Sequence, residues 1–206
     1  MLFGVIGGDR RQAELLKLLR QDGYQAAAYG TAGETDWERA VSAEVVVLPL
    51  PLCREGDTIN IEGEQRGIGA LLRQMRRNQL LLAGQVKPAQ TAEAAELDLN
   101  LIDYFKREEL TVANAAATAE GTVQVILERL ELLGSRCLVL GFGRIGKLLC
   151  HRLSAMGANV TAAARRPESL AWAVAYGYDA CSIDRLDGAL SEFDVVVNTV
   201  PAPIFG

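Results

Sequence analysis

Residues 138–150 read LVLGFGRIGKLLC. An apolar run leads into glycines spaced G-x-G-x-x-G and then into a second apolar stretch, so Gly141, Gly143 and Gly146 stand at a strand-to-helix corner. At such a corner the first glycine permits the tight turn, the second lets a pyrophosphate approach the backbone, and the third lets helix and strand pack closely. The helix start adds unpaired N–H groups that suit an anion. Phe142, Arg144 and Ile145 complete the loop, with Arg144 adding a charge. The stretch predicts a dinucleotide cradle.

Working outward, the next strand, NVTAAAR, tests which dinucleotide is preferred. A site for NAD carries Asp or Glu at the end of that strand, about twenty residues past the loop, to accept hydrogen bonds from the ribose. Here Ala164 is followed by Arg165 and Arg166. No carboxylate repels a 2′-phosphate, and two guanidiniums are placed to bind one, which favours NADP. A solvated turn before Pro167 is the plain alternative. Farther on, Asn198-Thr199-Val200-Pro201 ends an apolar strand, at the sheet edge where open α/β folds bind ligands. That loop either passes near a nicotinamide or is a strand closed by a turn-forming proline.

Along the whole chain, short apolar runs alternate with amphipathic ones, the pattern of a parallel sheet with crossover helices. In the first half, LFGVI, QAAAY, EVVVLPL, LLLAG and LNLIDY read as strands. RRQAELLKLLRQDG reads as a helix with Leu15, Leu18 and Leu19 on one face and Gly23 as its stop, and WERAVSA, IGALLRQMRRN and TAEAAELD as further helices. TAEGTVQVILERLELLG, from Thr118 to Gly134, reads as one long amphipathic helix linking two domains. After it come the strand RCLVLGF, helices over RIGKLLCHRLSAMG and PESLAWAVAYG, a short helix near DRLDGALSEF and the strand DVVVNTV. We therefore expect two doubly wound parallel-sheet domains: a flavodoxin- or Rossmann-like one over 1–112, and an incomplete NAD(P)-binding Rossmann one over 113–206, with the boundary within 110–120.

Composition narrows the function. With 206 residues and a net charge of −5, the chain has no basic field for a nucleic-acid backbone. No segment reaches the roughly eighteen uninterrupted apolar residues of a membrane span, and MLFGVIGG has no charged leader, so a soluble cytoplasmic protein is expected. Cys53, Cys137, Cys150 and Cys181 are widely spaced and His151 is the single histidine, so buried thiols and no metal site are expected. The first strand runs into Gly7-Gly8-Asp9-Arg10-Arg11-Gln12, a glycine turn without the dinucleotide spacing. Its amides and arginine suit a carboxylate, although Asp9 reads equally as an ordinary helix N-cap.

Several pieces then fall into one order: IGGDRRQ, LPLP at 48–51, AG at 83–84, FKREEL at 105–110, Asn114 followed by TAEG at 118–121, VLGFGRIGK, GANV with AAR, and NTVP. In this the chain resembles the family of dipicolinate synthase A chains, which make the dipicolinic acid of bacterial spores. The resemblance implies an NADP-binding Rossmann domain and oxidation of a dihydrodipicolinate-type cyclic precursor to dipicolinate, in company with a flavoprotein-like B subunit, in a homo- or hetero-oligomer. It implies that Gly8, Asp9, Arg11 and Gln12 line a substrate cleft from the first domain, with Asn114, Thr118, Glu120 and Gly121 contributing from the linking segment. Arg11 makes physical sense as an anchor for a small dicarboxylate.

The chain departs from the family pattern twice. Asn114-Ala115-Ala116-Ala117-Thr118 stands where the family has Asn-Ser-x-Pro-Thr, which predicts a looser hinge. The sequence also stops at Gly206, after about four of the six strands of a Rossmann sheet, so a trimmed or naturally short chain is expected. For the catalytic base Glu120 is the candidate, with plain helix capping as its alternative; His151 is expected to face solvent or packing. The competing functions are a reductase acting on another small carboxylate and a nucleotide-binding protein that serves a complex without catalysis of its own.

Overall fold

The protein is described by a computed structural model covering residues 1–186, 189–202 and 204. It divides into two compact units, Met1–Glu108 and Glu109–Gly206.

The first unit is built on strands β1 (Leu2–Ile6), β2 (Gln25–Thr31), β3 (Glu34–Thr35), β4 (Val45–Val47), β5 (Leu80–Ala83) and β6 (Asn100–Asp103), with helices α1 (Arg10–Gln21), α2 (Trp37–Val41), α3 (Ile68–Leu72) and α4 (Pro88–Glu96). Their order in the sheet is β3-β2-β1-β4-β5-β6, and every pairing is parallel except that of β2 with the short β3. Leaving β3 aside, this is the flavodoxin-like order, with its topological switch between β1 and β4. Alternation along β1 supplies both faces: Val5 packs with Leu16 and Ala28, and Ile6 joins the larger cluster with Val46, Leu48 and Leu81.

Two expectations for this unit change. The anchor of α1 is Leu16, at 2% exposure, and Leu18 lies 48% exposed. Gln12 and Leu16 are four residues apart and share the inward face, which excludes Leu18. The two-residue β3 carries no apolar pattern, so nothing in the sequence pointed to it.

The second unit opens with helix α5 (Glu108–Leu127), followed by β7 (Arg136–Leu140), α6 (Arg144–Ala155), β8 (Asn159–Ala164), α7 (Pro167–Ala175), β9 (Asp179–Ser182) and β10 (Val195–Asn198). All pairings in the sheet are parallel, in the order β10-β7-β8-β9, which matches the first four strands of the Rossmann order with its switch between β7 and β10. Cys137 and Val139 face α5 and α6, and Leu138 and Leu140 face Ile183 and Leu186.

Helix α5 corrects the expected linking helix at both ends: it starts ten residues before Thr118 and stops seven before Gly134. The alanine-rich stretch at 113–121 is therefore helix interior, where alanine is the best helix former. Ala115, Ala119, Val123 and Ile126 are its buried residues, at the spacing of one helical face. Beyond α7, β9 is a strand that the sequence pattern did not reveal. In place of the short helix near residues 184–193 stand two 3-10 turns, Ile183–Arg185 and Leu190–Glu192, with Asp187 and Gly188 of that stretch outside the described residues.

Candidate functional site

The glycine corner of the second unit is open. Gly141 leaves β7 at φ +96°, and a Cβ there would meet the Thr199 hydroxyl at 2.7 Å. A Cβ on Gly146 would lie 2.0 Å from the Gly141 carbonyl oxygen, so close packing of helix on turn requires glycine. Gly143 differs from both. It has the ordinary backbone angles φ −85° and ψ −159° and nothing within 4 Å of where its Cβ would be. Neither the backbone nor the packing calls for glycine at 143, whereas a ligand pressed against the main chain would. The Phe142 and Gly143 amides donate to no carbonyl among the described residues, while Gly141 donates to Ala163 at 2.7 Å.

A pocket of about 330 Å³ lies over this corner, lined by Gly141, Phe142, Gly143, Ala164, Arg165, Arg166, Ser169, Ile183, Thr199, Val200 and Pro201. Three segments far apart in sequence thus meet at this pocket: the glycine loop, the end of β8 and the turn after β10. Thr199 ties the last to the first, its hydroxyl donating to the Leu140 carbonyl at 2.8 Å. Asn198 shapes the turn, accepting the Val200 amide at 2.9 Å and donating to the Ala202 carbonyl at 3.0 Å. Arg165 and Arg166 are exposed, and neither has a carboxylate partner among the described residues. Arg144 and Ile145 open α6, outside the pocket lining. Ser169 and Ile183 were not anticipated: Ser169 sits in the first turn of α7, and Ile183 follows the strand that the sequence did not reveal.

The corner of the first unit is closed. Gly7 donates its amide to Tyr29 at 2.8 Å and Gly8 donates to the Asn60 carbonyl at 2.8 Å. Asp9 caps α1: its carboxylate accepts the Arg11 amide at 2.9 Å, and its own amide donates to the Gln12 side chain at 3.2 Å, a capping box that keeps Gln12 buried. Asp9 is the N-cap of α1, and the Gly7, Gly8 and Asp9 amides each donate within the protein. Ile61, 1% exposed, completes the closure, since Cβ atoms on Gly7 and Gly30 would fall 2.8 and 2.5 Å from it.

Arg11 is braced rather than extended. Its Nε and Nη2 donate to the Asp9 carboxylate at 3.0 and 2.8 Å, and Nη2 also donates to the Leu50 carbonyl at 2.6 Å. The guanidinium holds Asp9 below the usual carboxylate range by its side-chain hydrogen bonds, against the opposing effect of burial. Arg11 therefore keeps its charge in place at the corner, with one edge already occupied by Asp9.

The residues expected from the linking segment all lie on α5. Asn114 accepts the Thr118 hydroxyl on its backbone carbonyl at 2.9 Å; Thr118 and Gly121 are exposed. Glu120, the candidate base, is ion-paired with Arg152 at 3.1 Å and its side chain is 70% exposed. Arg152 stands eight residues into α6, about 12 Å along the axis from its start. Glu120 is thus not among the residues lining the glycine-loop pocket; it borders a shallow apolar groove with Val123, His151 and Met156. Of the cysteines, Cys53, Cys137 and Cys150 are buried and Cys181 half-buried, and burial pushes the Cys150 thiol up to about 12. No helix is long and apolar enough to cross a membrane among the described residues.

Comparison with known proteins agrees with this division. Residues 2–105 match the family described as the N-terminal domain of the dipicolinate synthase A chain, and residues 99–203 match the D-isomer specific 2-hydroxyacid dehydrogenase NAD binding domain. The dipicolinate synthase A chain of Bacillus subtilis (strain 168) is 25% identical to this chain, over 98% of the chain and 73% of its own length. Among solved structures, the A chain of dipicolinate synthase from Bacillus subtilis superposes with a TM-score of 0.74 at 24% identity, covering 99% of this chain and 74% of that one. Its counterpart from Bacillus halodurans gives 0.74 at 23%, covering 98% and 75%. The apo-structure of D-lactate dehydrogenase from Escherichia coli gives 0.61 at 17%, covering 98% and 66%, a likeness of fold. The second unit is accordingly a domain that binds a nicotinamide dinucleotide.

Proposed function

Because the chain belongs to the family of dipicolinate synthase A chains, we propose that it is an NADP-linked oxidoreductase that converts a dihydrodipicolinate-type cyclic dicarboxylate to dipicolinate. It acts in the cytoplasm of a sporulating cell, in complex with a B subunit. Gly143 carries the reading: of the three motif glycines at the corner it alone has space at the Cβ position, so its lack of a side chain serves a ligand lying on the main chain.

The residues fit an NADP molecule in both shape and charge. The Phe142 and Gly143 amides and the start of α6 hold the pyrophosphate. Arg165 and Arg166 bind the 2′-phosphate, with the Ser169 hydroxyl as a third donor. Ala164 and Ile183 offer an apolar wall to the adenine, and Asn198–Pro201 bound the side facing the nicotinamide. NADP held there would supply the hydride acceptor for the substrate C–H, with the accompanying proton released to water, and aromatisation of the ring would draw the oxidation forward. The chain's own contribution is to fix the orientation in which that transfer occurs.

The test is to mix the protein with the cyclic precursor and NADP and to follow NADPH absorbance together with the ultraviolet bands of dipicolinate. Growth of both supports the reading. NADP binding without turnover, also in the presence of the B subunit, overturns it in favour of a regulatory nucleotide-binding role, and turnover of 2-hydroxy acids alone in favour of a hydroxyacid dehydrogenase.

A further inference from the structure

Thr199 follows β10 and lines the pocket at the glycine corner, where it is half-buried. Its backbone amide donates to the Leu140 carbonyl at 2.9 Å, and its hydroxyl donates to the same oxygen at 2.8 Å. On the other side of that peptide, the Gly141 amide donates to the Ala163 carbonyl at 2.7 Å. The peptide unit that joins Leu140 to Gly141 is therefore pinned by both neighbouring strands, β10 through Thr199 and β8 through Ala163.

The next peptide unit is held by the same hydroxyl. The Gly141 carbonyl oxygen lies 3.4 Å from the Thr199 hydroxyl, and α6 packs so closely on it that a Cβ at Gly146 would fall 2.0 Å away. Both packing glycines also leave room for that hydroxyl: a Cβ would lie 2.7 Å from it at Gly141 and 3.3 Å from it at Gly146. In a planar trans peptide the N–H points opposite to the C=O. A Gly141 carbonyl lodged between Thr199 and Gly146 thus turns the Phe142 amide the other way, and that amide donates to no carbonyl among the described residues.

Resting on the NADP reading above, we propose that Thr199 is a positioning residue of the dinucleotide site: its hydroxyl fixes the two peptides on either side of Gly141 and so aims the Phe142 and Gly143 amides at the pyrophosphate. It acts through the loop rather than on the nicotinamide. The position calls for a hydroxyl, since a valine would continue the apolar run of β10 but has no proton for the Leu140 carbonyl. Local sequence marks Thr199 only as part of a turn. Its partner is 59 residues away, brought alongside by the parallel pairing of β10 with β7.

The experiment is calorimetric titration of the full chain and of Thr199→Val, Thr199→Ala and Thr199→Ser with three probes, with thermal unfolding of each variant recorded alongside. NADPH spans the whole site, 2′-phospho-ADP-ribose lacks the nicotinamide, and adenosine 2′-phosphate lacks the pyrophosphate. Thr199→Val and Thr199→Ala are expected to bind the first two probes about five-fold or more weakly, by the same factor for each, as for one lost hydrogen bond. Adenosine 2′-phosphate keeps its affinity, and Thr199→Ser, which retains the hydroxyl, restores NADPH binding. Loss confined to NADPH overturns the positioning role in favour of direct contact with the nicotinamide. Equal loss for all three probes, a loss in Thr199→Ser as large as in Thr199→Val, or wild-type affinity in both hydroxyl-free variants overturns it as well. NADH and ADP-ribose are titrated in parallel. Tighter binding of these two by the wild type, with the same dependence on Thr199, keeps the positioning role and overturns the NADP reading; no binding of either dinucleotide by the wild type overturns both.

Discussion

Each unit ends its first strand in a glycine turn that starts a helix, yet the two turns lead to opposite outcomes. After β1, the amides of Gly7, Gly8 and Asp9 donate to other parts of the protein, and Ile61 fills the space between Gly7 and Gly30. After β7, the Phe142 and Gly143 amides have no carbonyl partner among the described residues, and a pocket of about 330 Å³ stands over them. The same supersecondary geometry thus yields a sealed corner and an open one. What separates them is the long connection after β4, which folds back over the first corner, whereas Thr199, Val200 and Pro201 after β10 line the wall of the pocket at the second.

The largest effect expected from this contrast is at Gly146. Gly146→Ala drives a Cβ to 2.0 Å from a backbone oxygen, and denaturant unfolding should register a loss of about 3 kcal/mol or more. Gly143→Ala, three residues away, should change stability by less than about 0.5 kcal/mol while weakening NADPH binding at least about ten-fold. Matching behaviour of the two variants would break the distinction between a packing glycine and a ligand glycine.

Ile61→Ala should cost the first unit about 2–4 kcal/mol, the usual range for emptying a buried aliphatic site. A near-neutral result would show that the seal is loose and the contrast one of degree. Replacing both Arg165 and Arg166 by alanine should weaken NADP relative to NAD by about 1–3 kcal/mol, read by competitive binding of the two cofactors. Equal losses for both would mean that the pair does not read the 2′-phosphate.

The smallest effect concerns the sealed corner itself. Asp9→Ala removes an N-cap and should cost about 1 kcal/mol at neutral pH. Because Arg11 holds Asp9 below its ordinary 3.8, that contribution is present above the ordinary value and is lost as pH falls through the depressed one. The stability gap between wild type and variant should therefore close below about pH 4. A gap that persists in stronger acid would mean that the carboxylate charge plays no part.

The open corner was the more legible of the two. Its glycines, the two arginines after Ala164 and the NTVP turn are local signals, and parallel pairing of β10, β7 and β8 brings them to one edge. Ile183 escaped notice because β9, the strand before it, is DACS, without the β-branched alternation that marks a strand. The limits of α5 were misplaced because the run of alanines from 115 to 117 carries high helix propensity without an amphipathic pattern, so its start left no periodic trace. The sealing of the first corner was illegible for another reason. It depends on Asn60 and Ile61 meeting Gly7 and Gly30 across the fold, contacts that no local spacing encodes.

Hydrogen exchange of the full chain with and without NADPH tests the difference between the corners most directly. Slowed exchange at 142–145 and 165–169, with no change at 7–12, is the predicted result. Protection at 7–12, or at neither corner while NADPH is in large excess, would contradict the assignment of the dinucleotide to the second unit.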